Sequence, residues 1–200
     1  MIDDQMDSRR QVLEALEGLL TTTHFDNLRW NDLARAANLS ADQLSEYFTS
    51  FQHIYAELVH EDAIACDLEQ QAVMESETNP IAALQQAAQL QMAMIEKRDR
   101  RIWRSFVAAY FANEPFALEV YHFIDQRGHA RLEQGFANAQ QVGLLDPSID
   151  ITLLAHNAYA ISDNAVLQYV SQPSMTMADI QARIAMQLMV LVGPYLRLPA

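Results

Sequence analysis

The chain has 200 residues, 50% of them hydrophobic, and carries a net charge of −13 from 26 acidic against 13 basic residues. That apolar share supports a real core in one domain, or in one small and one medium domain. The acidity excludes generic affinity for nucleic acid or an anionic membrane, and one cysteine, Cys66, excludes an internal disulfide.

The lone cysteine also suits a reducing compartment. The opening MIDDQMDS is acidic where a secretory signal is basic, and no window offers the ~20 apolar residues of a membrane span. A cytoplasmic protein with no membrane partner is expected. Only five glycines and six prolines interrupt the chain, and apolar residues recur at spacings of three and four. The fold class is therefore all-α, with about nine helices.

Ser8 with Gln11 has the form of a capping box and predicts a helix to about Leu20, with Val12, Leu13, Leu16, Leu19 and Leu20 inward. A short helix at about Arg29–Ala37 follows, burying Trp30, Leu33 and Ala34. Ser40 with Gln43 makes a second capping box and opens a short helix to about Phe48. Ser50 caps a long helix to about Met74, and Asn79-Pro80, a cap plus a first-turn proline, opens another to about Arg98. The next covers about Arg100–Asn113, and Pro115 starts a long one ending near Gly143. After the loop Leu145-Asp146-Pro147-Ser148 come helices at about Asp150–Val170 and from Thr176 to about Leu196. Three short helices in residues 1–50 and a bundle of long ones in 51–200 form the expected division.

Residues 8–50 carry a pattern: Ser8-Arg9, Phe25-Asp26, Asp32-Leu33-Ala34, Ala37, Leu39-Ser40, Leu44, Tyr47-Phe48 and Ser50. Through these the first 55 residues resemble the TetR family of transcriptional regulators. Gly143-Leu144-Leu145-Asp146-Pro147, ahead of two final helices, resembles the family's usual ending. The resemblance implies a helix-turn-helix that binds palindromic operator DNA. It also implies a helical module holding a small apolar or amphipathic effector, and a homodimer formed through the last two helices. Cofactors are not implied.

The implied DNA contacts are Arg9, Arg29, Ser40, Gln43, Ser45 and Tyr47: cations at the flanks, and short or amide side chains at the start of the recognition helix. Departures from the family pattern cluster there as well. Asn38 replaces the glycine of the turn, Ser45 a phosphate-holding tyrosine, and Phe51 a phosphate-holding lysine. Residues 1–60 contain four basic residues (Arg9, Arg10, Arg29, Arg35) against ten acidic ones, and no Lys or Arg lies between Arg35 and Lys97. Affinity for duplex DNA comes largely from neutralised phosphates. A second reading therefore stands beside the first: a protein of the same fold that binds a ligand or a protein and no DNA. An exposed Phe51 near Tyr47 would give it an apolar patch.

Aromatic and sulfur side chains gather in the later helices. Trp103, Phe106, Tyr110, His122, Phe123 and Tyr159 are the candidate effector-binding residues, five rings and one polar group for a mostly apolar pocket. Lys97, Arg98, Arg100, Arg101 and Arg104 form the one basic cluster, at a helix junction where cations suit the end of the preceding helix. His122 and His129 stand seven residues, about 10 Å, apart along a helix, too far to share one ion comfortably. No metal site is assigned, and no catalytic residues either. G-x-S-x-G, a phosphate-cradling glycine loop and a Cys/His nucleophile arrangement are all missing from the sequence.

Overall fold

The computed structural model describes residues 2–197, with side chains from Ser8 onward. Among these residues the elements are nine α-helices and two 3-10 turns: α1 Ile2–Thr22, α2 Trp30–Ala36, α3 Ala41–Tyr47, α4 Phe51–Ser76, α5 Pro80–Lys97, α6 Arg100–Phe111, α7 Pro115–Gln141, α8 Ile151–Ser171 and α9 Met177–Val192. None of them is long and apolar enough to cross a membrane.

The expected caps hold where the chain must start a helix against a loop. Ser40 and Gln43 form a reciprocal capping box, as do Thr176 and Asp179, while Ser50 and Asn79 each accept a bond from a first-turn N–H; Asp150, expected inside the eighth helix, instead caps it. The expected start at Ser8 is corrected. α1 begins at Ile2, so Ser8 lies within its second turn. Neither Gly nor Pro interrupts residues 2–8. The last helix also ends earlier than expected, at Val192, because Gly193-Pro194 turns the chain into a 3-10 step.

The core is continuous. Val12 and Leu16 of α1, Leu33 of α2, Leu44 of α3 and Phe48 join Ile54, Leu58 and Val59 of α4, and the cluster runs on through α5 and α6 to Ile180 and Ile184 of α9. A second cluster, with Phe136, Ala139, Leu145, Leu154 and Ala158, closes the far end between α7 and α8. There the chain end pairs with the α7–α8 loop through Asp146 N–H to Tyr195 C=O and Arg197 N–H to Leu144 C=O, both 2.9 Å. α4 lies at the centre of the arrangement, packed on α1, α5, α6 and α7.

Candidate DNA-facing surface and effector cavity

The turn between α2 and α3 is made by Asn38, at φ 54°. Asn enters this left-handed region more readily than most residues, which makes it a workable stand-in for glycine. Leu39 N–H closes the turn on Ala34 C=O at 2.8 Å. In the capping box, Gln43 N–H donates to Ser40 Oγ at 3.1 Å and Ser40 N–H to Gln43 Oε1 at 2.8 Å. Asp42, Gln43, Ser45 and Glu46 form the exposed edge of α3.

Several predicted DNA contacts are engaged within the protein. Ser45 Oγ donates to Ala41 C=O at 2.8 Å and accepts from Trp30 Nε1 at 3.3 Å. Arg29 bonds the carbonyls of Asp26 and Leu28, both at 3.0 Å, but stays exposed. Arg9 pairs with Glu57 at 3.1 Å, donates to Tyr47 C=O at 3.3 Å and lies over the Phe48 ring at 4.7 Å. Its guanidinium therefore fastens α1 to the end of α3 and to α4. Tyr47 is half-buried. Phe51 makes no exposed patch. It is half-buried, edge-on to Trp30 at 5.4 Å and stacked on Tyr55 at 5.9 Å, so the residue that replaces the expected lysine packs beneath the helix-turn-helix. The Tyr55 hydroxyl is pushed up to about 12 by burial.

The basic cluster binds the two parts together. Arg98, at the α5–α6 junction, pairs with Asp62 of α4 and with Glu17 of α1, while Lys97 reaches Asp62 at 2.6 Å. Beside it Arg101 pairs with Asp99 at 2.7 Å and lies over the Phe25 ring at 4.6 Å. Arg100 donates to the carbonyls of Gln172, Pro173 and Met175, which fixes the α8–α9 loop.

The six predicted effector residues fall into separate groups, Trp103 with Phe106, and Tyr110 with Tyr159 about Tyr121, while His122 and Phe123 stand apart. Trp103 and Phe106 are buried in the main core, with Trp103 Nε1 donating to Ile95 C=O at 2.9 Å. Tyr110 stacks on Tyr121 at 3.9 Å, Tyr159 lies against His129 at 4.2 Å, and His122 is exposed. The Tyr121 hydroxyl donates to Asp163, whose carboxyl is raised above the usual aspartate range by burial. Phe123 faces a cavity of about 30 Å³ between α4, α5 and α7, room for one or two waters. The other lining side chains include Asp67, Gln70, Gln91, Met94 and Arg127. Sequence reasoning passed over this polar set. The available signal was Asp67 and Gln70 at the inward spacing of Ala63 and Cys66 on a helix whose other buried positions are mostly apolar.

Among the described residues, no three His, Cys, Asp or Glu side chains gather as a metal site. No protein-family profile matches the chain, and no curated protein matches it. Solved structures do. A TetR transcription regulator from Haloarcula marismortui aligns over 96% of this chain and 100% of its own, with TM-score 0.74 and 11% identity. Thermus thermophilus FadR, a TetR-family repressor solved with lauroyl-CoA, aligns over 96% and 97%, with TM-score 0.72 and 12% identity. SmeT, the repressor of the Stenotrophomonas maltophilia multidrug efflux pump SmeDEF, aligns over 94% and 90%, with TM-score 0.65 and 14% identity. The chain has the fold of TetR-family regulators along nearly its whole length. The resemblance read in its first 55 residues is borne out at the level of fold.

Proposed function

We propose that the protein is a homodimeric transcriptional regulator that contacts operator DNA through α2 and α3 and responds to a small apolar or amphipathic effector among its C-terminal helices. The observation that carries this reading is the helix-turn-helix. α3 is turned by Asn38, opened by the Ser40 capping box and held by Leu44 and Phe48, so its exposed edge is free to enter a groove. Gln43 is the side chain on that edge suited to an adenine edge, and Arg29 with Tyr47 supplies flanking phosphate contacts. Two copies related by a two-fold axis read a palindromic site, one major groove each. An effector acts through its different affinities for the DNA-competent and incompetent states.

Few cations face the DNA, so binding is weakly salt-dependent for a regulator. Each phosphate contact contributes a slope of roughly −0.9 in log K against log salt. Fluorescence anisotropy with DNA from upstream of the protein's own gene, at low and physiological salt, tests the reading. Sequence-dependent binding that is lost in Arg29→Ala supports it. Absence of binding at low salt, with the dimer intact, overturns it.

A second reading, a ligand- or protein-binding protein without DNA activity, is favoured by one group of observations. Asp42 and Glu46 occupy the exposed edge of α3, while Arg9 is taken by Glu57. The same anisotropy experiment decides between the two.

A further inference from the structure

Residues 48–50 join α3 to α4, and His53, in the first turn of α4, contacts all three. The Thr49 N–H donates to its Nδ1 at 3.3 Å, and its own backbone N–H donates to Ser50 Oγ at 3.2 Å. The buried Phe48 ring stands edge-on to the imidazole at 5.2 Å. The same imidazole stacks on Phe116 of α7, with centroids 4.6 Å apart and 11° between the planes. One half-buried ring thus bridges the link behind α3 and the helical bundle.

We infer that His53 is a pH-sensitive latch: its neutral imidazole holds the α3–α4 link against α7, and protonation releases that link. Accepting from the Thr49 N–H uses the Nδ1 lone pair, so the neutral ring carries its proton on Nε2. A proton arriving at Nδ1 turns the acceptor into a donor that faces another donor. The Thr49 hydroxyl, 3.4 Å from the same nitrogen, can take the new N–H, but the backbone N–H has lost its acceptor. The charged groups acting on the ring are Arg9 of α1 and Glu57, one turn further along α4. From the link and from α7 it meets Phe48, Thr49 and Phe116, which do not titrate. Burial and Arg9 oppose the proton, Glu57 favours it, and the balance holds the imidazole below its ordinary value. Phe116 offers an imidazolium some cation–π attraction, a small gain at a partly exposed site. The folded state therefore binds this proton less readily than the unfolded chain. The latch is closed above the ordinary histidine value of 6.5 and opens as pH falls through the lower folded value. In the regulator reading, on which this one consequence rests, release loosens the placement of α3 and weakens operator binding in acid.

NMR of the full chain between about pH 7.5 and about pH 5, following the His53 ring and the Thr49 amide, tests the latch. The ring is expected to titrate below 6.5. Across that titration the Thr49 amide is expected to lose about fivefold in protection against hydrogen exchange, the worth of one hydrogen bond. His53→Asn cannot titrate and is expected to remove the pH dependence of Thr49 protection. His53→Phe keeps a ring for Phe116 without an acceptor, so Thr49 is expected to be unprotected at every pH. A His53 ring that titrates above 6.5 overturns the inference, as does Thr49 protection that ignores the charge on the ring. Undiminished pH dependence in His53→Asn overturns it too. Where His53→Phe fails to fold, the parent titration and the asparagine variant decide. DNA takes no part in this experiment, so its failure and that of the regulator reading are separately visible.

Discussion

Arg98 grips Asp62 side-on, with Nε on Oδ2 at 2.5 Å and Nη2 on Oδ1 at 3.0 Å, and the two side chains are 10% and 4% exposed. The third nitrogen of the guanidinium pairs with Glu17 of α1. A single side chain at the α5–α6 junction therefore holds the first helix and the central helix together. The rigid five-donor fork of arginine allows this, and a lysine ammonium could not match it.

Arg98→Met is expected to lower stability by about 3 kcal/mol, the lower end for breaking a buried pair, because Lys97 still reaches Asp62 at 2.6 Å. Pairing it with Asp62→Leu is expected to restore most of the loss, since the buried carboxylate goes too. Urea unfolding of the two variants checks this. A single variant as stable as the parent would show that the clamp contributes nothing. Hydrogen exchange in α1 reports the loss of Glu17's partner separately.

Asp163 makes stability depend on pH. Burial raises its carboxyl above the usual range, the hydrogen bond from Tyr121 opposes the rise, and nearby Asp125 adds to it. The folded state holds this proton more tightly than the unfolded chain. The group's contribution is therefore most favourable below the ordinary aspartate value of about 3.9 and declines as pH rises through the elevated folded value. Asp163→Asn keeps an acceptor for the Tyr121 hydroxyl and removes the ionisation. It is expected to raise the Tm at pH 7 and to bring no gain near pH 3. A lower Tm at pH 7 would contradict the sign.

Gly128 of α7 faces Tyr159 of α8. A Cβ there would lie 2.3 Å from Cε2 and 2.9 Å from Cδ2 of Tyr159, whose ring also rests on His129. Gly128→Ala gains about 1 kcal/mol of helix propensity, but forced overpacking costs about 1–3 kcal/mol. A net loss near 1 kcal/mol is expected. Combining it with Tyr159→Leu removes the clash, so the two effects should be non-additive in denaturant midpoints. Additive losses would place the Gly128 effect elsewhere.

The parts of this fold legible in the sequence are those decided within one turn of chain. Ser40 with Gln43, Asn79-Pro80 and Thr176 each mark a helix start by a bond reaching at most three residues, and the structure places helices there. The cavity was not legible because its lining residues, among them Asp67, Gln91 and Arg127, come from three helices far apart in the chain, and only the packing of α4, α5 and α7 brings them together. The aromatic side chains divide for a related reason. Trp103 and Phe106 sit on a helix face that turns into the closed core, whereas Phe123 sits on one that meets the cavity, and ring chemistry alone does not separate the two. At α3 a long-range partner is equally hidden: Ser45, the expected groove contact, also accepts from the Trp30 indole N–H, fifteen residues away.

The last two helices carry a prediction about assembly. Leu153 of α8 and Met186, Met189 and Val190 of α9 are strongly exposed, Val190 at 75%, and Met186 and Val190 line an open apolar trough with Ile161, Leu191 and Tyr195. So many large apolar side chains on one pair of helices is more than a lone soluble chain ordinarily presents to water. A two-fold partner would cover the same patch on each copy, as a self-complementary interface requires. Val190→Asp is expected to leave the helical content unchanged, because the side chain packs little within its own chain. It is also expected to halve the mass measured by light scattering, because burying a carboxylate in an apolar interface is costly. A dimer that survives the substitution would move the interface elsewhere, and a parent protein that is already monomeric would remove it.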